Sequence, residues 1–194
     1  MSGGHKVFGI GLNKTGTKTL GEALTHLGYR HQTFDGRLMR AFARGDLAPI
    51  LDTARAYDSF EDWPWPLVYP TLARRFPDAR FVLTLRASPE TWYASLCRHA
   101  DRHGPSPWRK IAYGYADPAT DQAHHLALYR RHAERVRRFF AAEPWRLMAV
   151  CWERGDGWPE LCDFLGVETP ALAFPERNVD GSDAWKFMPP APTG

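Results

Sequence analysis

The chain predicts an α/β protein of three layers, a parallel sheet flanked by helices. Three observations carry this. Short apolar runs alternate with segments of helical period along the sequence, the pattern of successive β–α–β units with right-handed crossovers. The strongest run, "RFVLTLRA", is apolar nearly throughout, as parallel strands covered on both faces are. The first run, "KVFGIGL", ends in glycines just before a helical stretch, and ligands in such folds sit at the carboxyl ends of strands. At 194 residues the chain is expected to form a single domain with a substantial core.

Taken in order, Lys6 to Leu12 reads as a short buried strand. "TKTLGEALTHLGY" follows as a helix, with Leu20, Ala23, Leu24 and Leu27 at helical spacing and Gly28 as its stop. "YRHQTF" reads as a second strand, and "DGRLMRAFARGDLAPILDTARAYD" as two short helices broken at Gly45 and Asp46. "WPWPLVYPTLARRFPDA" reads as a proline-interrupted turn and then a helix ending near Phe76. After the strong strand, Ser88 is the expected N-cap of a helix, with Pro89 at its first position and Glu90 just inside. "PATDQAHHLALYRRHAERVRRFFAAEP" is a long amphipathic helix, "WRLMAVCWE" a late strand, and "GWPELCDFLGV" a closing helix stopped at Gly166. The core is expected over residues 6–180, with a loosely ordered tail over 181–194.

A composition of 44% hydrophobic and 24% charged residues is that of a soluble globular protein, and 16 prolines with 8 tryptophans imply fixed turns and aromatic-lined surface. With 25 Lys and Arg against 22 Asp and Glu, the charge is only +3. That suits a small anionic ligand and gives no reason to expect nucleic acid. Cys97, Cys151 and Cys162 lack metal-like spacing and are expected to be free thiols. Asp121, His124 and His125 have no matching ligands elsewhere, so they read as part of a surface helix and no metal is expected. The basic stretch from Tyr129 to Phe140 reads as a solvated face. "MSGGHK" is too polar to open a signal peptide, and no apolar run approaches the roughly 18 residues of a membrane span. The expected location is therefore the cytoplasm; nothing in the sequence sets an oligomeric state.

"GLNKTGTKTL" is the stretch that carries chemistry. The Walker pattern is G-x-x-x-x-G-K-[ST]. Gly11 and Gly16 have that separation, but Thr17 stands in the lysine's place, Lys18 and Thr19 follow one residue late, and Lys14 lies inside the loop. A strand-to-helix loop of this kind binds phosphate through converging backbone N–H groups and the positive end of the helix. Small residues at Thr15, Gly16 and Thr17 permit a close approach, and the hydroxyls of Thr17 and Thr19 add donors.

This stretch resembles the phosphosulfate-binding loop of the sulfotransferases, whose cytosolic members read P-K-[ST]-G-T-[ST]-W and carry the lysine two residues before the glycine, as Lys14 precedes Gly16. Lys18 and Thr19 depart from that pattern, Thr19 standing where an adenine-stacking tryptophan is found. "RFVLTLRASPETWYASL" resembles the family's 3′-phosphate segment, with Arg86 and, nine residues on, Ser95, and Ser88 as an alternative donor. An arginine at a strand end and a serine on the next helix can grip a phosphate from two sides. "CWERGDGWPELCDFLG" resembles the family's C-terminal region, and the likeness runs over residues 6–180.

The resemblance implies a P-loop NTPase-like sulfotransferase fold, 3′-phosphoadenosine 5′-phosphosulfate (PAPS) as co-substrate, and a hydroxyl or amine of a small-molecule or glycan acceptor. It implies that Lys14 stabilises the leaving phosphate and that Lys14, Thr15, Gly16, Thr17, Lys18, Thr19, Arg86 and Ser95 hold the donor. It further implies an acid–base residue. Asp62, 24 residues before Arg86 and two before Pro64, is preferred; Asp35 and His31 are the alternatives, by analogy with members that place the base soon after the first helix. Two rivals stand beside this reading: a P-loop kinase or NTPase with its magnesium acid in "YDSFED", and a non-catalytic member that binds the nucleotide. Trp108, Arg109 and Lys110 are placed by position to form a lid.

Overall fold

The structure, a computed structural model, describes residues 4–175. Five parallel strands form one sheet in the order β2–β3–β1–β4–β5: β1 is Val7–Gly9, β2 His31–Gln32, β3 Ser59–Phe60, β4 Arg80–Thr84 and β5 Leu147–Val150. Because β1 lies centrally and its neighbours β3 and β4 come later in the chain, the crevice where the strand order reverses opens beyond its carboxyl end. The Gly11–Leu20 stretch emerges there.

Among the described residues eight α-helices cover the sheet: α1 Thr17–His26, α2 Gly36–Ala43, α3 Ala48–Ala56, α4 Trp65–Arg75, α5 Pro89–His103, α6 Pro107–Tyr113, α7 Gln122–Phe139 and α8 Trp158–Leu165. Alternation along the strands separates two cores. Phe8, Phe60, Phe81 and Leu83 face one side with Trp65 and Leu72 of α4 and Val136 of α7. Val7, Val82 and Val150 face the other, with Leu20 and Leu24 of α1 and Leu161 and Leu165 of α8. The predicted three-layer α/β class is the observed one. A third cluster, including Leu12, Trp92, Leu96, Tyr113 and Tyr129, packs α5, α6 and α7 against the carboxyl end of the sheet.

Local signals operate as expected where side chains act on their own backbone. Ser88 Oγ accepts from Thr91 N–H at 3.0 Å, capping α5. The break between α2 and α3 falls at Gly45, with a φ of 75°, and Asp46 accepts from Ala48 N–H. Gly166 ends α8 in the left-handed region.

The differences have physical causes. β3 was not foreseen as a strand: it is two residues long and lacks an apolar run, and pairing with β1 and β2 makes it one. "YRHQTF" contributes only His31–Gln32. The segment from Trp65 is continuous helix: Pro66 falls in its first turn, where an N–H has no intrahelical acceptor, and Pro70 lies inside α4, where it forfeits one backbone bond without ending the helix. Residues 107–113 form α6, capped by Ser106. Asp121, His124 and His125 do not all face solvent. Asp121 caps α7, while His125 is fully buried with Nδ1 2.6 Å from Asp121 O. Residues 176–194, with the expected tail, lie outside the described residues.

Gly11 shows how tightly the sheet end is closed. A Cβ there would lie 2.0 Å from Thr84 Oγ1 and 2.5 Å from Thr84 O. Overpacking of this kind costs about 1–3 kcal/mol. In thermal denaturation Gly11→Ala should lower Tm by several degrees. Gly4→Ala, which meets nothing within 4 Å, should leave it unchanged.

Candidate functional site

Backbone geometry builds the loop between β1 and α1. Lys14 has a φ of 68° and Gly16, the N-cap of α1, a φ of 84°. These two left-handed residues turn the chain so that α1 starts with its axis toward the cleft. The N-cap Gly16 makes no side-chain cap bond to α1, and the first N–H groups of a helix, which have no intrahelical acceptor, carry the positive end of its dipole.

Thr15 points inward: its Oγ1 donates to Leu12 O at 2.6 Å and accepts from Thr84 Oγ1 at 2.6 Å. Asn13 is held at both ends. Its carbonyl accepts from Trp92 Nε1 at 2.9 Å, and its Oδ1 from the Tyr113 hydroxyl at 2.5 Å. On the far side, Trp152 Nε1 donates to Gly16 O at 3.1 Å. The indole lies so close that a Cβ at Gly16 would sit 2.4 Å from Trp152 Cδ1. Lys14 and Lys18 line a cleft of about 1350 Å³ that this loop floors.

Two acids stand at the end of β3. Asp62 lines the cleft with a φ of 64°, its Oδ1 accepting from Trp63 N–H at 2.8 Å. Burial, then the neighbouring Glu61 charge, push its carboxyl up to about 7, against the pull of Trp63 N–H, Lys14 and Lys18. Glu61 is 2% exposed and behaves in the opposite way. Its burial penalty is outweighed by His31 and threonine hydroxyls, so its pKa lies below the usual range. Its Oε1 accepts from the Thr33 hydroxyl and lies 3.8 Å from His31 Nε2, while His31 Nδ1 is 2.9 Å from Ser59 Oγ. Glu61 therefore holds the charge of this acid pair, and Asp62 is the member that exchanges a proton near neutral pH.

Arg86 follows β4. Its Nη1 donates to Lys14 O at 3.2 Å and its Nη2 to Glu153 Oε1, while Glu153 Oε2 accepts from Ala87 N–H at 2.8 Å. The buried Nε of Arg86 has no acceptor among the described residues. Ser95, two turns along α5, lines the same cleft.

Residues 6–182 match the family described as sulfotransferase domain. The chain belongs to the sulfotransferase family. The Ava biosynthesis cluster protein M of Aspergillus versicolor is 26% identical over 212 residues, spanning 88% of this chain and 79% of that protein. A sulfotransferase from Alicyclobacillus acidocaldarius has a similar fold, with a TM-score of 0.59 at 18% identity over 92% of this chain and 87% of its own. Family membership supports sulfotransfer as the general activity.

In this sulfotransferase, Lys14, Thr15, Gly16, Thr17, Lys18, Thr19, Asp62, Arg86 and Ser95 line one cleft, although up to 81 positions separate them in sequence. Asp35 and His31 lie apart from its lining. Asp35 caps α2, accepting from Arg37 N–H at 2.7 Å, and pairs with the Arg37 guanidinium at 2.8 Å. Burial pushes the Asp35 carboxyl up, but the Arg37 bonds outweigh it and hold the group below its usual range. His31 sits behind Glu61, its Nε2 against Gly21 of α1. Trp108 lines the cleft, whereas Arg109 is buried, its guanidinium donating to Gly104 and Ala116 carbonyls. Among the described residues no three His, Cys, Asp or Glu side chains gather as a metal site would, and no helix is long and apolar enough to cross a membrane.

Sequence reasoning did not single out Glu61, Trp152 or Glu153 as site residues. The signal for the first was its place beside Asp62 in a two-acid run. For the other two it was their place at the carboxyl end of the last strand.

The Asp62 environment has a consequence for stability. Its folded pKa of about 7 exceeds the unfolded value near 3.9, so between these limits the folded state binds more protons. Stability from this group is present below about pH 4 and declines as pH rises to about 7. Asp62→Asn tolerates the left-handed backbone and removes the titration. The variant should melt above the wild type at pH 8, with the difference shrinking toward pH 4.5. A difference independent of pH in paired melting curves would contradict this assignment.

Proposed function

We propose that the protein transfers a sulfuryl group from PAPS to a hydroxyl of a small-molecule or glycan acceptor. One observation carries the reading: an uncapped helix start with Lys14 and Lys18 faces Asp62 across a single cleft. The residues present fit an anionic nucleotide. Phosphate oxygens would accept from the N–H groups at the start of α1, and Arg86, a cation in the lining of the same cleft, suits a second phosphate. The cleft is also large enough for a nucleotide and an acceptor together.

When bound, PAPS supplies an activated sulfuryl group whose leaving group is a phosphate. The loop N–H groups and Lys18 hold the 5′-phosphate, and Arg86 with Ser95 takes the 3′-phosphate. Lys14 places its ammonium where charge builds as the phosphate leaves. Asp62, ionised above about pH 7, takes the proton of the acceptor hydroxyl. Glu61 keeps Asp62 basic enough for that task by disfavouring a second negative charge beside its own. Because Arg86 also donates to Lys14 O, recognition of the 3′-phosphate and the position of the loop are mechanically joined.

Adenosine 3′,5′-bisphosphate (PAP) should raise the melting temperature well beyond the effect of ATP with magnesium. A ligand binding only the folded state adds about 2.7 kcal/mol at one hundred times its Kd. Equal shifts from both nucleotides, or a shift that needs magnesium, would favour the kinase reading instead.

Lys14→Ala and Asp62→Asn should each lower kcat, Lys14→Ala by about 10²–10³ by analogy with the loss of one oxyanion-hole donor, while leaving the PAP-induced shift nearly intact. Lys18→Ala should chiefly weaken PAP binding. Steady-state kinetics combined with PAP titrations distinguishes these roles, and turnover controlled by Lys18 with Lys14 indifferent would reverse them.

A further inference from the structure

Three consecutive side chains beyond β5 grip the donor side of the cleft. They belong to the short turn Trp152–Arg154. Trp152 Nε1 donates to Gly16 O at 3.1 Å, and Arg154 Nη2 donates to Ala87 O at 3.0 Å. Between them Glu153 spans two donors. Its Oε1 accepts from Arg86 Nη2 and its Oε2 from Ala87 N–H at 2.8 Å. Both members of the ion pair line the cleft, with side chains 21% exposed for Arg86 and 36% for Glu153. A guanidinium N–H on one oxygen and a backbone N–H on the other form an arrangement that receives a phosphate as well as a carboxylate. Glu153 thus sits in a two-donor anion site of the cleft wall.

We infer that Glu153 is a displaceable counter-anion for the donor's 3′-phosphate. The phosphate takes over the Arg86 and Ala87 donors, the Glu153 side chain turns out to solvent, and its return favours release of the nucleotide product. This rests on the proposed sulfotransfer and makes Glu153 a determinant of how tightly the site holds any 3′-phosphorylated nucleotide.

The two anions cannot share the site. Arg86 carries one positive charge, and a phosphate on the same donors would meet the Glu153 carboxylate, a like-charge contact that costs affinity. In the exchange the phosphate has the advantage of its greater charge. It is also tethered to a nucleotide already held at the loop, which raises its effective concentration. The carboxylate gives way readily, because a partly exposed ion pair is a weak bond in water. The turn itself stays in place, since the Trp152 and Arg154 bonds to Gly16 and Ala87 carbonyls do not involve Glu153. A competing account makes Glu153 a brace that aims Arg86. Arg86 has other supports, however: its Nη1 donates to Lys14 O at 3.2 Å, and its backbone N–H donates to the Tyr129 hydroxyl at 2.9 Å.

The test is calorimetric titration of PAP and of adenosine 5′-monophosphate, which lacks the 3′-phosphate, into the wild type and Glu153→Gln. The glutamine keeps an acceptor for Ala87 N–H and removes the charge. PAP should bind the variant about tenfold tighter or more, as relief of a like-charge contact requires, while the monophosphate binds both proteins alike. Raising the salt from about 50 mM to about 500 mM should narrow the PAP difference, because screening acts on exposed charges. Glu153→Ala should show the same preference for PAP, and it decides the matter if the glutamine variant fails to fold. PAP affinity unchanged or weakened in a folded variant would make Glu153 a brace and overturn the inference. Equal tightening of both nucleotides would overturn it too, by placing the effect away from the 3′-phosphate. In either case the donor reading would stand. No PAP binding to the wild type or the variants would instead sink the donor reading, and this inference with it.

Discussion

The hydroxyl relay from Thr84 through Thr15 to Leu12 O is the constraint on which the site depends. It joins the end of β4 to the middle of the β1–α1 loop by two bonds of 2.6 Å in a buried place. There each hydroxyl would be costly to leave unpaired. With Thr15 pulled inward, Lys14 and Gly16 must take left-handed backbone, and Lys14's side chain is left on the cleft side. Gly11 completes the joint, because only a residue without Cβ lets β4 approach so closely. The uncapped start of α1 is thus a product of sheet packing as much as of the loop's own composition.

Around that joint the charges are arranged in opposed pairs. Arg86 is held between Lys14 O and Glu153, whose carboxyl stays below its usual range because the Arg86 bond and Ala87 N–H outweigh burial. Glu61 and Asp62 share one end of β3 but not one protonation state. Glu61, in contact with Thr33 and near His31, carries the charge, and Asp62, facing the lysines, carries the labile proton. Two adjacent carboxyls with separated proton affinities suit a site that must receive anions and also remove a proton.

Much of this architecture was legible because it follows from local rules. The glycine-flanked strand end, the Ser88 cap and the apolar β4 are properties of a few adjacent residues, and each appears where the sequence predicts it. β3 was not legible, since Ser59–Phe60 is a strand only by virtue of its partners on both sides. α6 was hidden by its proline-rich approach, and its packing of Tyr113 under Asn13 is a contact between residues 100 positions apart. The same limit applies to Asp35: as an N-cap paired with Arg37 it is indistinguishable in sequence from an acid placed for chemistry.

The sequence by itself determined the α/β class, the order of most elements, and the strand–loop–helix geometry that exposes backbone N–H groups, because these rest on periodicity, capping and glycine placement within short spans. Only the tertiary structure decided which acid faces the cleft, which is buried behind it, and which merely caps a helix. Asp35, Glu61 and Asp62 differ in burial, neighbouring charge and hydrogen-bond partners contributed by distant segments. A carboxyl's proton affinity is set by those surroundings and not by its own identity.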